Sequence, residues 1–272
     1  MVRLIARPAV LISLAIVAAA LAAAAFAPSL APYDPLAPNL SSRLSPPGQG
    51  HLLGTDNFGR DVLSRLIYGA RASVTVGLVS AAIAAAAGTA AGFVTGYAGG
   101  RLDLAGQRVI DALLAFPALV LALVFVASFG PSTPVVIASI ATAQAPQMAR
   151  LARSLCLELK SSDYAAAARA MGGSGWHIAT RHILPNAFGP LVALATGFAG
   201  EAIVLEAVLG YLGLSVPPPQ PSWGRMISEG ARRYLESAPW LTIAPGAALS
   251  LLALAFAILG DALRDRFDPR RS

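Results

Sequence analysis

Residues 163–186 read DYAAAARAMGGSGWHIATRHILPN, and they interrupt a chain that otherwise consists largely of long apolar runs. The stretch carries Arg169, two histidines and a Gly-Gly pair, so it is too polar and too broken to cross a bilayer. Tyr164, Ala168 and Met171 nevertheless recur at helical spacing among alanines. A helical but polar segment between apolar runs predicts a membrane protein with an insertion on one side of the bilayer.

Composition supports lipid as the main solvent. The 272 residues are 56% hydrophobic and 12% charged, whereas a soluble domain carries about a quarter charged residues. The formal net charge is +6, but no aromatic-rich basic patch suggests nucleic-acid binding. A single cysteine, Cys156, excludes an internal disulfide and a cysteine-built metal site, and the three histidines lack ligand spacing. We therefore expect no metal, cofactor or nucleic-acid partner.

Long apolar segments predict an all-α polytopic membrane protein that forms one transmembrane domain. A spanning helix needs about 20 mostly apolar residues. Six segments qualify: roughly 9–31, 73–98, 109–129, 134–150, 190–212 and 239–260. The first segment also resembles a cleaved signal peptide, but its apolar run is longer than such signals usually have. Pro117 and Pro146, inside the third and fourth spans, can kink a helix.

Basic residues predict the orientation. Six spans place both termini on one side of the membrane, and 13 of the 20 lysines and arginines fall on that side. The remaining seven are Arg43, Arg60, Arg65, Arg71, Arg225, Arg232 and Arg233. Because cytoplasmic loops carry the excess of positive charge, we expect both termini and loop 151–189 to be cytoplasmic.

Two segments, 32–72 and 213–238, then lie on the external side of the membrane. Their Pro-rich stretches SPPGQG and SVPPPQPSWG predict extended turns rather than helix. Within the first, GTDNFGRDVLSR places Asp61 and Arg65 at the i,i+4 spacing of a helical ion pair, with Thr55 or Asp56 as the N-cap. The motif fits an interfacial helix or a contact surface for a partner protein equally well.

Local signals divide the cytoplasmic loop into two short helices. A serine or Asp163 caps the first helix, and Gly172-Gly173 ends it because glycine tolerates positive φ. Ser174 caps a second helix, which we expect Leu184-Pro185 to end. Such a compact unit suits a groove in another protein, or it rests on the lipid surface. Its alanine-rich face anchors weakly in lipid, which favours docking on a protein.

The loop also resembles a known motif. AAARAMG followed by HILPN is similar to the coupling loop, or EAA motif, of ABC-importer permeases, with matches at Ala167, Ala168, Gly172 and Leu184-Pro185. The usual glutamate is replaced by Ala166. HLLGTDNFGRDVLSRLIYGARASV, YLGLSVPPPQPSWG and GDALRDRFDPR resemble further segments of dipeptide, oligopeptide and nickel importers, in the same order.

This resemblance implies a type I ABC importer permease fold in the cytoplasmic membrane of a bacterium or archaeon. It also implies a second, homologous permease subunit, two cytoplasmic ATP-binding subunits and an external substrate-binding protein that delivers peptides or a similar solute such as nickel. The chain has no G-x-x-x-x-G-K-[ST] motif, so ATP hydrolysis is expected in the partner subunits and no catalytic residue here. The residues implied for ATPase docking are Asp163, Tyr164, Ala167, Ala168, Arg169, Gly172, His182, Ile183, Leu184 and Pro185.

Two glutamates fall inside the predicted fifth span. Ionisable groups in a membrane helix are functional candidates by default, so Glu201 and Glu206 are candidates for the translocation path or for contacts between subunits. A hydrogen bond between helices explains either one as well. The alternative functions are an ion-coupled secondary transporter without ATPase partners and an intramembrane enzyme. Neither an internal inverted repeat nor a buried catalytic cluster supports these alternatives.

Overall fold

A computed structural model describes residues 8–267, which form helices and connecting segments with one isolated antiparallel bridge between Thr55 and Asp61. The longer helices are α1 Pro8–Ala25, α2 Val62–Ala98, α3 Gly100–Leu114, α4 Ala118–Phe129, α5 Thr133–Lys160, α6 Asp163–Ala170, α7 Gly175–Tyr211, α8 Trp223–Ala231 and α9 Trp240–Phe267. Shorter turns of helix are Ala27–Leu30 and Leu40–Ser42. The main core forms where α2, α5, α7 and α9 meet, around Met148, Phe198 and Leu252.

Four of these helices, α1, α2, α7 and α9, are long and apolar enough to cross a membrane by themselves. The pair α3 and α4 gives a fifth span if it is counted as one bent unit. Helix α5 contains the predicted fourth span, 134–150, but it also carries Arg150, Arg153 and Lys160 in its second half. The count of six spans therefore stays a prediction.

The predicted third span, 109–129, is not one continuous helix. Helix α3 ends at Leu114, α4 begins at Ala118, and their axes differ by 89°. Pro117 explains the break, because it lacks an N–H group and disfavours helical backbone at the preceding residue. With 12 residues, α4 is about 18 Å long and too short to cross the roughly 30 Å hydrocarbon core.

Helices α2 and α5 pack closely along a row of glycines. Gly88, Gly92 and Gly96 recur every fourth residue and share one face of α2. A Cβ atom at Gly92 would lie 2.2 Å from the backbone oxygen of Ala149, and one at Gly88 would lie 2.5 Å from that of Ala145. Small residues at this spacing let membrane helices approach backbone to backbone.

The segment before α2 packs against α8. It differs from the sequence predictions in three ways: where α2 begins, which residue is its N-cap, and which residues pair with Arg65. Helix α2 begins at Val62, inside the predicted external segment 32–72, and its N-cap is Asp61, whose side chain accepts from Ser64 N. Asp61 does not pair with Arg65. The Arg65 guanidinium instead lies 3.2 Å from Asp56 Oδ2 and 2.9 Å from Glu229 Oε2 on α8.

Helix α8 itself lies within segment 213–238 and begins at Trp223, near the end of the stretch SVPPPQPSWG for which we predicted an extended turn. The proline run, 217–219, ends before the helix begins at Trp223, so the prolines do not oppose it. Trp223 is buried, and its Nε1 donates to Leu66 O at 2.9 Å. The GTDNFGRDVLSR motif thus contacts this chain's own α8, and these long-range contacts add to local ones within the motif, such as the ion pair of Arg60 with Asp56 at 2.7 Å.

Candidate functional site

We call residues 163–183 the knob, and its first part is α6 with the turn that follows. Helix α6 ends in a Schellman motif: Gly173 N donates to Ala168 O at 3.0 Å, and Gly172 N donates to Arg169 O at 3.0 Å. Gly172 has φ +81°, a conformation that glycine adopts without a Cβ penalty. The predicted glycine stop is therefore present, and it turns the chain sharply after α6.

The second part of the knob differs from the expectation. Ser174 caps it as predicted, since its Oγ accepts from His177 N. Leu184-Pro185, however, does not end the helix, because α7 continues from Gly175 to Tyr211 without a break. A π-helical turn over Ala179–Ile183 precedes the proline. This wider turn accommodates the missing N–H and the ring of Pro185 without breaking the helix.

The knob has an inner face and an outer face. The inner face is an apolar cluster packed against Phe93, Tyr97 and Leu159, and its members are Ala165, Ala168, Ile178 and Ile183. On the outer face Tyr164 is 40% and Met171 82% exposed. Trp176 is also exposed, but it lines a groove together with Phe93 and Tyr97 of α2. Asp163, Ala167, Arg169, Gly172 and Pro185 are also exposed, whereas His182 and Leu184 are partly buried. The candidate docking residues thus divide, and Ala168 and Ile183 pack within the chain.

A polar contact joins the base of the knob to two long helices. Lys160, the last residue of α5, donates from Nζ to Tyr97 O near the end of α2 at 2.6 Å, and its ammonium lies 4.8 Å from the Tyr97 ring centre. Both terminal nitrogens of Arg169 donate to Lys160 O at 3.1 Å. A Cβ at Gly175 would lie 3.1 Å from the same Tyr97 ring. The knob, α2 and α5 therefore meet at one point.

Glu206 is fully buried inside this chain. Its carboxylate accepts from Ser73 Oγ of α2 at 2.9 Å and from Ser215 Oγ at 2.6 Å. Buried polar groups are stable when they are hydrogen-bonded in this way. Through these two hydrogen bonds, Glu206 joins α7 to α2 and to the segment after α7.

Glu201 lies in a different environment, on the exposed side of α7. It lines a cleft of about 840 Å³. We call this space the α7–α9 cleft. It is lined by Ala118, Gln147, Ala193, Leu194, Gly197, Phe198, Gly200, Glu201, Val204, Leu205, Ala253, Leu254, Ala257, Gly260, Asp261 and Arg264. The two glutamates therefore have different surroundings, although they are five residues apart.

Residues 88–272 match the family described as "Binding-protein-dependent transport system inner membrane component", and residues 1–47 match the "N-terminal TM domain of oligopeptide transport permease C". The chain belongs to this inner-membrane transport family. The permease is 39% identical over 260 residues to the dipeptide transport system permease protein DppC of Alkalihalophilus pseudofirmus, covering 96% of this chain and 85% of the relative. It is 40% identical to the di/tripeptide transport system permease protein DppC of Pseudomonas aeruginosa, covering 91% and 83%.

The fold of the permease is also shown by a solved structure. An inward-facing structure of the MetNI methionine ABC transporter superposes with a TM-score of 0.62 at 18% identity, covering 75% of this chain and 97% of that chain. The permease therefore has the all-α fold of type I ABC importer permeases. Its knob occupies the segment in which the sequence resembles the coupling loop.

Three features of the structure were not predicted from the sequence. The Lys160–Tyr97 contact joins residues 63 positions apart, so no local sequence pattern predicts it. The inward orientation of Ala168 depends on Ile178 and Ile183, which follow the glycine turn. The glycine row at 88, 92 and 96 has a readable small-xxx-small signal in GTAAGFVTG.

Proposed function

We propose that this chain is the permease subunit of an ATP-driven importer of peptides. In this proposal it forms the translocation path with a second permease, receives peptide from an external binding protein and docks two cytoplasmic ATPases through the knobs of the two permeases. Both termini and the knob are then cytoplasmic, as the distribution of basic residues predicts, and α5 provides one of six spans.

The exposed outer face of the knob is the observation that carries the proposal. Tyr164 and Met171 present apolar surface beyond the packed inner face. Apolar groups projecting from a rigid, capped unit suit a groove in a partner protein. The inner face, meanwhile, connects the knob to α2 and α5, so a force applied to the knob reaches the spanning helices.

The relatives support peptides as the solute class. Those named above are described as dipeptide and di/tripeptide permeases, and this chain covers most of their length. None of these names supports nickel, which the resemblance alone had left open. Peptides are therefore the substrate that we propose.

Ala167→Trp tests the docking surface. Ala167 is exposed on the outer face of α6, so the variant should fold while the bulky ring prevents close approach of an ATPase. We expect at least a tenfold loss of ATPase subunits co-purified with the permease, which corresponds to about 1.4 kcal/mol of binding free energy. Ala105→Trp, at an exposed alanine of α3, is the matched control.

The docking proposal fails if the two variants retain equal amounts of ATPase while wild-type permease and ATPase co-purify. The same preparations measure peptide uptake. Uptake that follows an ion gradient and persists without ATPase subunits would instead support a secondary transporter.

A further inference from the structure

Glu201 occupies the middle of the predicted fifth span, 190–212, on a side of α7 that this chain leaves exposed. A carboxylate that faces hydrocarbon is costly, so ionisable groups in membrane helices normally face water or other protein groups. The α7–α9 cleft is therefore a surface that water or protein covers in the assembled transporter, rather than one that faces lipid.

The cleft has room for a small molecule beside Glu201. Its volume of about 840 Å³ lies within the range of small-molecule sites. Small side chains form its walls at this level: Ala253 and Ala257 line it from α9. On α7, a Cβ built at Gly197 would have no atom within 4 Å. The space next to the carboxylate is thus open.

No cation of the cleft is close enough to neutralise Glu201. Among the lining residues, Arg264 is the one cation. Gly200 packs on Ala253, with 3.0 Å between its built Cβ and Ala253 O, which places Glu201 near the level of Ala253. Arg264 lies eleven residues further along α9, about 16 Å away at 1.5 Å per residue. It therefore lies at a different depth in the membrane.

The neighbour of Glu201 does not neutralise its charge. Gln144 of α5 is hydrogen-bonded to the Glu201 carboxyl group, and its uncharged side chain is almost completely buried and does not line the cleft. Its Nε2 also donates to Phe198 O at 3.0 Å. A carboxylate beside an open cleft, with no cation near it, favours a cationic donor, and an ammonium group supplies three N–H donors with a positive charge.

We propose that Glu201, positioned by Gln144, binds an ammonium group of the transported peptide in the α7–α9 cleft. The ammonium is either the N-terminal amino group or a lysine side chain, and the chemistry of recognition is the same for both. This inference rests on the proposed function, because it takes the cleft as part of the peptide path.

The test is peptide uptake by the complete transporter in proteoliposomes, with Glu201→Gln, which removes the charge and keeps the size. Two peptides are compared, alanyl-lysine and alanyl-norleucine, which differ in the side-chain ammonium. If the lysine side chain is bound, we expect the variant to lose about tenfold in uptake of alanyl-lysine alone. If the N-terminal ammonium is bound, uptake of both peptides falls about tenfold. Glu236→Gln, the same change at an exposed glutamate outside the cleft, should leave both rates within twofold.

Two results would overturn the inference. One is uptake of both peptides within twofold of wild type in Glu201→Gln. The other is loss of the second permease from the purified Glu201→Gln complex, which would show that a cation of that subunit pairs with Glu201. In both cases ATP-driven uptake by the wild-type complex leaves the proposed function standing, whereas its absence in wild type contradicts the proposed function itself.

Discussion

Gly92 shows how a single residue sets the distance between two helices. With a Cβ 2.2 Å from Ala149 O, the backbones of α2 and α5 could not keep their present separation. The neighbouring glycines, Gly88 and Gly96, extend the same close approach by one turn on either side. Hydrogen bonds and side-chain packing across this seam depend on the absence of three side chains.

Gly92→Ala should therefore destabilise the permease, because the obstructing atom is backbone and cannot rotate away. We expect a cost of about 1–3 kcal/mol, typical of overpacking, and a lower midpoint of thermal unfolding in detergent. Gly246→Ala on α9, where an added Cβ meets no atom within 4 Å, is the control and should not lower the midpoint. Equal midpoints for the two variants would show that the α2–α5 seam is looser than described.

Glu206 makes a second prediction at this scale. Glu206→Gln keeps the side-chain volume, an acceptor oxygen for one of the Ser73 and Ser215 hydroxyls and an amide that donates to the other, so stability should change little. Glu206→Leu leaves both hydroxyls buried without their partner, which costs about 1–3 kcal/mol. Thermal unfolding of the two variants measures the difference. A Glu206→Gln variant as unstable as Glu206→Leu would show that the negative charge, and not the hydrogen bonds, is required.

At the scale of elements, the knob shows what local sequence determines and what it does not. The glycine stop and the Ser174 cap were predicted, because each depends on residues within one turn. The end of the second helix was predicted wrongly, because a π-helical turn admits Pro185 into a continuous α7. The break at Pro117 separates two helices where we expected one span, whereas Pro146 lies inside the continuous helix α5. A proline in the sequence therefore does not determine by itself whether a helix ends.

Lys160 tests whether the base of the knob transmits movement. Lys160→Met keeps an unbranched side chain of similar length but removes the ammonium group that donates to Tyr97 O. We expect ATPase subunits to bind normally while the amount of peptide transported per ATP hydrolysed falls about threefold to tenfold, as for the loss of one charged hydrogen bond. Lys160→Arg retains a donor and should restore most of this ratio. If Lys160→Met transports with the wild-type ratio, the contact does not couple the knob to α2.

At the scale of the whole molecule, sequence predicted the family and its all-α membrane fold, which the family match and the solved structure confirm. Hydropathy and four motifs sufficed for this, because lipid imposes its requirements on every spanning residue. The six spans and the orientation stay predictions. Contacts between distant segments were not predictable: Arg65 reaches Glu229 on α8, and Ser73 reaches Glu206 on α7. Such pairs depend on how helices cross, which periodicity does not specify.

The α7–α9 cleft gives a prediction for the assembled transporter. A Cβ added at Gly197 meets no atom within 4 Å, so the leucine side chain of Gly197→Leu should enter the open space of the cleft. The complex should then assemble while peptide uptake falls at least tenfold through obstruction. Gly246→Leu, also at an open helical position but outside the cleft, should retain uptake. Uptake by Gly197→Leu equal to that of Gly246→Leu would place the peptide path elsewhere.

The measurement that tests the central claim most directly is uptake of a labelled dipeptide into proteoliposomes that contain this permease, its partner permease, the two ATPases and the binding protein. Uptake should require ATP and the binding protein, and Ala167→Trp should abolish it while Ala105→Trp does not. Uptake that proceeds in Ala167→Trp at the wild-type rate, or that follows an ion gradient without ATP, would contradict the account.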